Sequence, residues 1–258
     1  MSGYADFSEF YDALTRNVGY KERGEYIRGL LGKSGINGGL LLDLACGTGS
    51  LSTELSRAGF DVIGVDASDS MLCEAQKKAW ESGREILFLC QKMQELDLYG
   101  TVNAAVCNLD GINHLTKEAD VRETFRRVAL FLEPGGVFVF DVNTIYKHSR
   151  IMADNVFVYD SDGVYCVWQN SPCEKTGTVQ ITLDFFKESG GVYSRSRESF
   201  CERAYDIGKI REWLTEAGFE KINVFDDMTM SDPRPDSQRV VFTAAKQDAA
   251  AEAAHNLD

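Results

Sequence analysis

The chain has 258 residues, 44% hydrophobic and 26% charged, a balance that suits one α/β domain with an insertion or two small domains. Forty acidic against 27 basic residues leave a formal charge of −13, which repels phosphate backbones and argues against a nucleic-acid partner. No cationic segment leads into an apolar run near Met1, and no stretch approaches 18 apolar residues, so the expectation is a cytoplasmic protein without a membrane span.

Tyr4 to Lys33 reads as helical, with Gly19 and Gly24 predicting a break between two helices. Leu40, Leu41, Leu42 and Leu44 around Asp43, followed by Ala45, predict a buried strand too short to be a helix. Gly47-Thr48-Gly49 forces a tight turn that lets a ligand approach bare backbone. Leu51, Leu55 and Ala58 then form the apolar stripe of a helix that Gly59 stops. Asp61–Val65 is a second strand ending at Asp66, and Ser68 or Asp69 caps a helix carrying Met71, Leu72, Ala75 and Ala79 on one face. Ile86–Cys90 and Val102–Cys107 read as strands three and four. Lys117–Leu132 is an amphipathic helix closed by Glu133-Pro134-Gly135-Gly136, and Val137–Val142 is a strand apolar on both faces. The βα alternation then stops. Val156–Tyr159, Val164–Asn170, Thr178–Phe186 and Val192–Phe200 are β-rich runs separated by glycine turns, an inserted antiparallel meander long enough to have a task of its own. Asp206 caps a further helix, and Phe219–Phe225 and Arg239–Ala245 are the last strands. The tail from Asp248 is low in complexity and reads as flexible.

Strand, glycine turn and helix make the first unit of an open α/β sheet, with a ligand crevice at the strand's carboxyl end. A dinucleotide site would want G-x-G-x-x-G, and Gly47-Thr48-Gly49-Ser50-Leu51-Ser52 lacks the third glycine. Asp43 repels a pyrophosphate but suits an ammonium or sulfonium group. Asp66, 17 residues beyond Gly49, stands where a carboxylate reaches ribose hydroxyls in such folds. Acid, glycine turn and second acid resemble the class I S-adenosylmethionine-dependent methyltransferases, whose first motif is D-x-x-x-G-x-G. The resemblance runs from about Tyr4 to Lys246 through LDLACGTG and EPGGVFVFDVN. It is nearest to bacterial small-molecule methyltransferases with an antiparallel β lid after the fifth strand.

That resemblance implies a Rossmann-like, seven-stranded, mostly parallel sheet with helices on both faces, formed by residues 1–150 and 204–247. Residues 151–203 would be the lid on the acceptor side. It implies S-adenosyl-L-methionine as cofactor and a small-molecule acceptor, methylated at nitrogen rather than oxygen. Asp43, Ala45, Gly47, Thr48 and Gly49 would serve the methionine part and Asp66 the ribose. Ala67, Met71, Lys92 and Met93 follow on the adenosine side, and Leu109 lies near the sulfonium. Among Tyr4, Tyr11 and Tyr20, the resemblance gives Tyr11 and Tyr20 a place in helices that close over the cofactor. Tyr11 and His114 are the catalytic candidates. His148 and His255 read as surface residues. Lys92 departs from the family's acid at the adenine edge, because an ammonium can accept no hydrogen bond from the 6-amino group. Asn108-Leu109-Asp110-Gly111 lacks the prolines and ring that hold a flipped base. In the lid pattern Glu198, Phe200, Glu202, Arg203 and Tyr205 stand where relatives would carry E-x-H-x-E-R-x-Y, with Phe200 replacing the histidine. The seven cysteines lack any C-x-x-C pair and read as buried free thiols, and no His/Cys/Asp set has metal-ligand spacing. Two other readings stay open: a non-catalytic protein that senses the cofactor and, more remotely, a nicotinamide oxidoreductase.

Overall fold

The computed structural model describes residues 11, 15, 18–161 and 163–248; Tyr4, His255 and the tail 249–258 lie outside the described residues. Gly19, at φ +64°, opens helix α1 (Tyr20–Lys33). Gly24 does not interrupt α1, contrary to the sequence expectation. It is buried, and a Cβ there would stand 3.3 Å from Glu54 Cβ, so the missing side chain lets two helices meet.

The βα units follow as β1 (Gly39–Leu44), α2 (Ser50–Arg57), β2 (Phe60–Asp66), α3 (Asp69–Glu81), β3 (Leu87–Cys90), β4 (Val102–Cys107), α4 (Glu118–Phe131) and β5 (Leu132–Asn143). Ser68 caps α3 by accepting from Met71 N. The Glu133–Gly136 turn lies within β5 as an exposed bulge, since the pairing with β4 jumps from Leu132 to Val137. The chain closes with α5 (Ile207–Glu216), whose cap Asp206 accepts from Gly208 N and Lys209 N, then β10 (Phe219–Asp226) and β11 (Arg239–Lys246).

These strands form one seven-stranded sheet in the order β10-β11-β5-β4-β1-β2-β3, parallel except where β11 runs antiparallel between β5 and β10. Strand residues alternate between two apolar layers. Leu41, Val62, Val106 and Val139 pack under α1 and α2, whereas Leu42, Val65, Phe138 and Phe140 pack under α4 and α5. Phe140 stacks on Phe242 at 4.9 Å and on Phe138 at 4.7 Å, which fixes β11 against β5. The strand order reverses between β1 and β4, so a crevice opens at their carboxyl ends.

The insertion is a separate antiparallel sheet of β6 (Val156–Ser161), β7 (Val164–Cys173), β8 (Thr178–Ser189) and β9 (Val192–Arg203). Its strands outrun the expected ones, because β8 and β9 stay paired from Thr178–Arg203 to Ser189–Val192. Val179, Ile181, Leu183 and Phe185 face inward and pack with Met71 and Met152. A π-helical turn at Lys147–Met152 precedes the sheet and corrects the placing of His148, which is buried at 6% exposure. The thiols also differ from expectation. Cys107 and Cys166 are buried, but Cys73, Cys90, Cys173 and Cys201 are exposed, since they occupy outward positions of a helix and three strands. Among the described residues no helix is long and apolar enough to cross a membrane.

Candidate active site

A cavity of about 350 Å³ opens at the carboxyl ends of β1, β2 and β4. Its wall brings together Tyr11, Tyr20, Asp43, Ala45, Gly47, Thr48, Asp66, Ala67, Met71, Lys92, Met93, Leu109 and His114. Gly49 is placed elsewhere. At φ +69°, a Cβ on it would stand 2.9 Å from Ala75 Cβ and 3.2 Å from Phe88 Cζ, so this glycine seats α2 against α3 and β3.

The wall is polar at chosen points. Asp43 is 2% exposed, and its Oδ2 accepts from Ser52 Oγ at 2.5 Å. Burial pushes its carboxyl up to about 7, although the Ser52 bond opposes the rise. Asp66 accepts from Gly47 N and from Ser68 N, each at 2.9 Å, so it braces the glycine turn against the start of α3. Burial raises its carboxyl pKa as well, against those two bonds. A carboxylate oxygen has lone pairs to spare after one such bond, so both Asp66 oxygens remain able to accept from a ribose. Lys78 Nζ donates to Thr48 Oγ1 at 3.0 Å and to Ser50 Oγ at 2.5 Å, tying α3 to the other flank of the turn. Tyr11 lies over this turn, its Cε1 4.0 Å from where a Cβ on Gly47 would be. Burial, then the neighbouring Tyr20, pushes the Tyr11 phenol well above its usual value. Lys92 reaches the wall by its stem, while its ammonium leaves to bond exposed Glu95 at 3.0 Å.

Ala45, Leu109 and Asp110 all hold positive φ without being glycine, at +57°, +55° and +58°. Such conformations cost about 1–2 kcal/mol each and persist only where neighbours over-determine them. Here Asp141, fully buried on β5, accepts from Leu109 N and Asp110 N at 2.8 Å each. It is neutralised by Arg23 of α1 at 3.4 Å and by Arg239 of β11. Arg239 also bonds Asp110 at 2.6 Å, and Arg23 bonds Asp227 at 3.1 Å. Burial alone would raise the Asp110 carboxyl, but Arg239 and then Lys147 hold it well below the usual range. The sequence reading missed this charged girdle. Its available signal was the lone acid in Phe138-Val139-Phe140-Asp141, because a charge amid apolar neighbours needs partners.

The catalytic candidate His114 ends the short turn Gly111–His114, its ring tilted against Phe200 of β9 at 5.0 Å. Asn113 locks that turn by accepting from Asn143 N at 2.8 Å and donating to the Arg203 carbonyl at 2.9 Å. The fold also gathers Asp110, His114 and Glu202 so that one ligand atom of each lies within 4.8 Å of the others, a grouping that sequence spacing did not reveal.

The doubly wound sheet, the acid-flanked glycine turn and the cavity beside it define a protein that binds an adenosyl cofactor carrying a cationic group. Residues 41–136 match the family described as Methyltransferase domain. A relative from Geobacillus sp. (strain WCH70), provisionally named a methyltransferase, is 34% identical over 245 residues, covering 94% of this chain and 99% of its own. A solved S-adenosylmethionine-dependent methyltransferase from Clostridium acetobutylicum ATCC 824 is 30% identical with a TM-score of 0.86, covering 95% of this chain and 99% of that one. The glycine/sarcosine N-methyltransferase of Parasynechococcus marenigrum (strain WH8102) is 28% identical over 239 residues, 90% of this chain and 80% of its own. The chain belongs to the S-adenosylmethionine-dependent methyltransferases, and S-adenosyl-L-methionine is its cofactor. The nicotinamide and non-catalytic readings give way to that membership.

Proposed function

We propose that this enzyme methylates the nitrogen of a small-molecule amine held between the cofactor cavity and the inserted sheet. The cofactor's methionine part lies along Asp43, Ala45, Gly47 and Thr48, its ribose on Asp66, its adenine beside Ala67, Met71 and the Met93 backbone, and its sulfonium near Leu109. Methyl transfer is an in-line displacement by a reactive donor, so the protein's main work is to align donor and acceptor and keep water out. The cofactor supplies the methyl group. The chain's own residues then position the nucleophile and receive its proton. An amine arrives protonated near neutral pH and must shed that proton before it attacks, a task suited to a histidine.

One observation carries this reading. His114 stands on the same cavity wall as the glycine turn, with Glu202 4.0 Å from its Nε2 and the inserted sheet's apolar face packed on Met71 of that wall. Tyr11, over the glycine turn, would orient the acceptor. The acids on the cavity wall, Asp43 and Asp66, favour a cationic over an anionic acceptor. The N-methyltransferase relative that spans most of the chain supports nitrogen over oxygen. The test is incubation with methyl-labelled S-adenosylmethionine and a metabolite extract, followed by panels of small amines and phenols. Label is expected on an amine nitrogen, with loss of turnover in His114→Ala at unchanged cofactor affinity. Label only on hydroxyl oxygen would overturn the nitrogen assignment.

A further inference from the structure

We propose that the outer face of the inserted sheet carries a binding site for a small methylated ammonium ion, formed by Asp160, Tyr165, Phe186 and Tyr193. A hollow of about 320 Å³ lies between these side chains, lined also by Gly163. It belongs to the side of the sheet turned away from the cofactor. Asp160 pairs with Tyr165, Tyr165 with Phe186 and Phe186 with Arg195, so these four share one rung and one face of β6–β9. Phe185, next along β8, points the other way, into the buried layer that packs on Met71. No residue of the hollow lines the cofactor cavity.

Two independent observations point to such an ion. The first is where the rings stand. Further along the same face Gln169, Thr182 and Ser199 oppose one another across the strands, the polar side chains that a solvated face carries. At the hollow the rung turns aromatic, and Tyr165 and Tyr193 stay exposed. Tyr165 and Phe186 meet edge to face, with ring centroids 6.3 Å apart and planes at 61°, which splays them into two walls instead of a closed stack. The second observation is charge. An aromatic face carries negative potential and attracts a cation, and methylated ammonium groups use such faces in cages. Phe186 already attracts one, since the Arg195 guanidinium carbon lies 5.8 Å from its ring centroid. Asp160 adds a full negative charge, and its carboxylate makes no hydrogen bond or ion pair among the described residues.

The protein's own cations near the hollow are committed elsewhere. Arg195 donates to Asp184 Oδ1 at 2.8 and 2.7 Å, and Arg197 donates to Asp184 Oδ1 and Oδ2 at 2.9 Å each. Lys187 stands across from buried Val164, on the other face of β8. Glu188 Oε1 accepts from Gly191 N at 2.7 Å and so closes the turn that presents Tyr193. Three rings and one carboxylate offer too few oxygens for magnesium or calcium. They suit an ion whose charge is spread over methyl groups, which loses little hydration and gains from every ring it touches. The hollow's volume sets the ligand at small-molecule size, and a net charge of −13 draws cations toward the protein. Methylation of a small amine produces ions of this class. That link rests on the proposed acceptor chemistry, whereas binding does not.

The experiment is a ligand-observed NMR titration of the full-length protein, without S-adenosylmethionine, using choline and its neutral isostere 3,3-dimethylbutan-1-ol. Sedimentation velocity is run on the same samples. Choline is expected to bind with a Kd on the order of 1 mM, and the isostere about tenfold or more weakly. Asp160→Asn and Tyr193→Ala should each weaken choline by about 2- to 30-fold, the span of a single cation–π or partly screened charge contact. Both side chains are exposed, so the variants keep the fold, and their calorimetric affinity for S-adenosylmethionine should equal the parent's. Equal binding of the isostere makes the hollow an apolar groove and overturns the site. Choline affinity unchanged in either variant places the ion elsewhere and overturns it too. A dimer that dissociates in Tyr193→Ala gives the rings to a second copy of the chain, which also overturns it.

Discussion

Asp43 shows how one burial sets a titration. Its carboxyl sits near 7 rather than 3.8 because the low-dielectric strand end disfavours the charge. A native value above the unfolded one means that its contribution to stability is present below about pH 4 and is lost as the pH rises through 7. Cofactor binding should run the other way, since a cationic methionine group favours the ionised form. With that value near 7, the ionised fraction rises from roughly one tenth at pH 6 to roughly nine tenths at pH 8. Calorimetric affinity for S-adenosylmethionine should therefore improve by up to about tenfold over that interval, while Asp43→Asn shows a flat profile. An equal slope in both proteins would remove Asp43 from the cofactor's cationic end. Lys92 poses the converse case at the adenine edge. Its ammonium is spent on Glu95 at the surface, so no side-chain acceptor from this position faces the cavity. Lys92→Asp should tighten S-adenosylmethionine by about 1 kcal/mol, a typical net hydrogen bond, and leave an analogue without the 6-amino group unaffected. Weaker binding, or an equal response of both ligands, would mean that Lys92 is not beside the adenine.

Elements repeat the lesson that local pattern is legible and convergence is not. The strand ends carrying Asp43 and Asp66, the Ser68 and Asp206 caps and the alternating face of β8 follow from periodicity and cap chemistry within a dozen residues. The girdle of Arg23, Asp110, Asp141, Asp227 and Arg239 joins positions that only the sheet order brings together, so no window of sequence contains it. His148 was misplaced for the same reason. A polar run reads as surface until β9 lands on it. Gly24 and Gly49 were read by their usual habits, a break and a ligand turn, when contact with a neighbouring element explains each better. For Gly49 that difference is measurable. Gly49→Ala adds a Cβ at positive φ, 2.9 Å from Ala75 Cβ and 3.3 Å from the Ala75 backbone, which cannot swing aside. The strain and overpacking together should cost about 2–4 kcal/mol in urea unfolding. A loss of cofactor affinity with stability intact would instead return Gly49 to the ligand turn.

At the scale of the whole molecule, the inserted sheet touches the cofactor wall through few residues and is anchored elsewhere. It meets that wall at Met71 and Tyr11, and Phe200 of β9 lies against His114. Its last strand is held to the turn bearing His114 by the Asn113–Arg203 bond, by Arg203 Nη1 donating to the Thr116 carbonyl at 3.2 Å and by the Arg203–Glu118 pair at 3.0 Å. Tyr205 adds a bond from its hydroxyl to the Leu115 carbonyl at 2.5 Å. The bonds Asp66 makes to the glycine turn and to α3 lie wholly outside the insertion. Replacing residues 156–200 by a short glycine-serine linker should therefore leave the anchor at 201–205 and the cofactor cavity standing. The face that covers Met71 and the acceptor space would be gone. S-adenosylmethionine affinity is expected to stay within about tenfold of the parent, a change of roughly 1.4 kcal/mol or less. Methyl transfer should fall by several orders of magnitude, because an acceptor free to rotate in water forfeits the advantage of being held in line. Calorimetry and labelled-methyl turnover on the same folded sample decide it. Turnover that survives the replacement would place the acceptor elsewhere, and collapse of cofactor affinity in a folded variant would make the insertion part of the cofactor site.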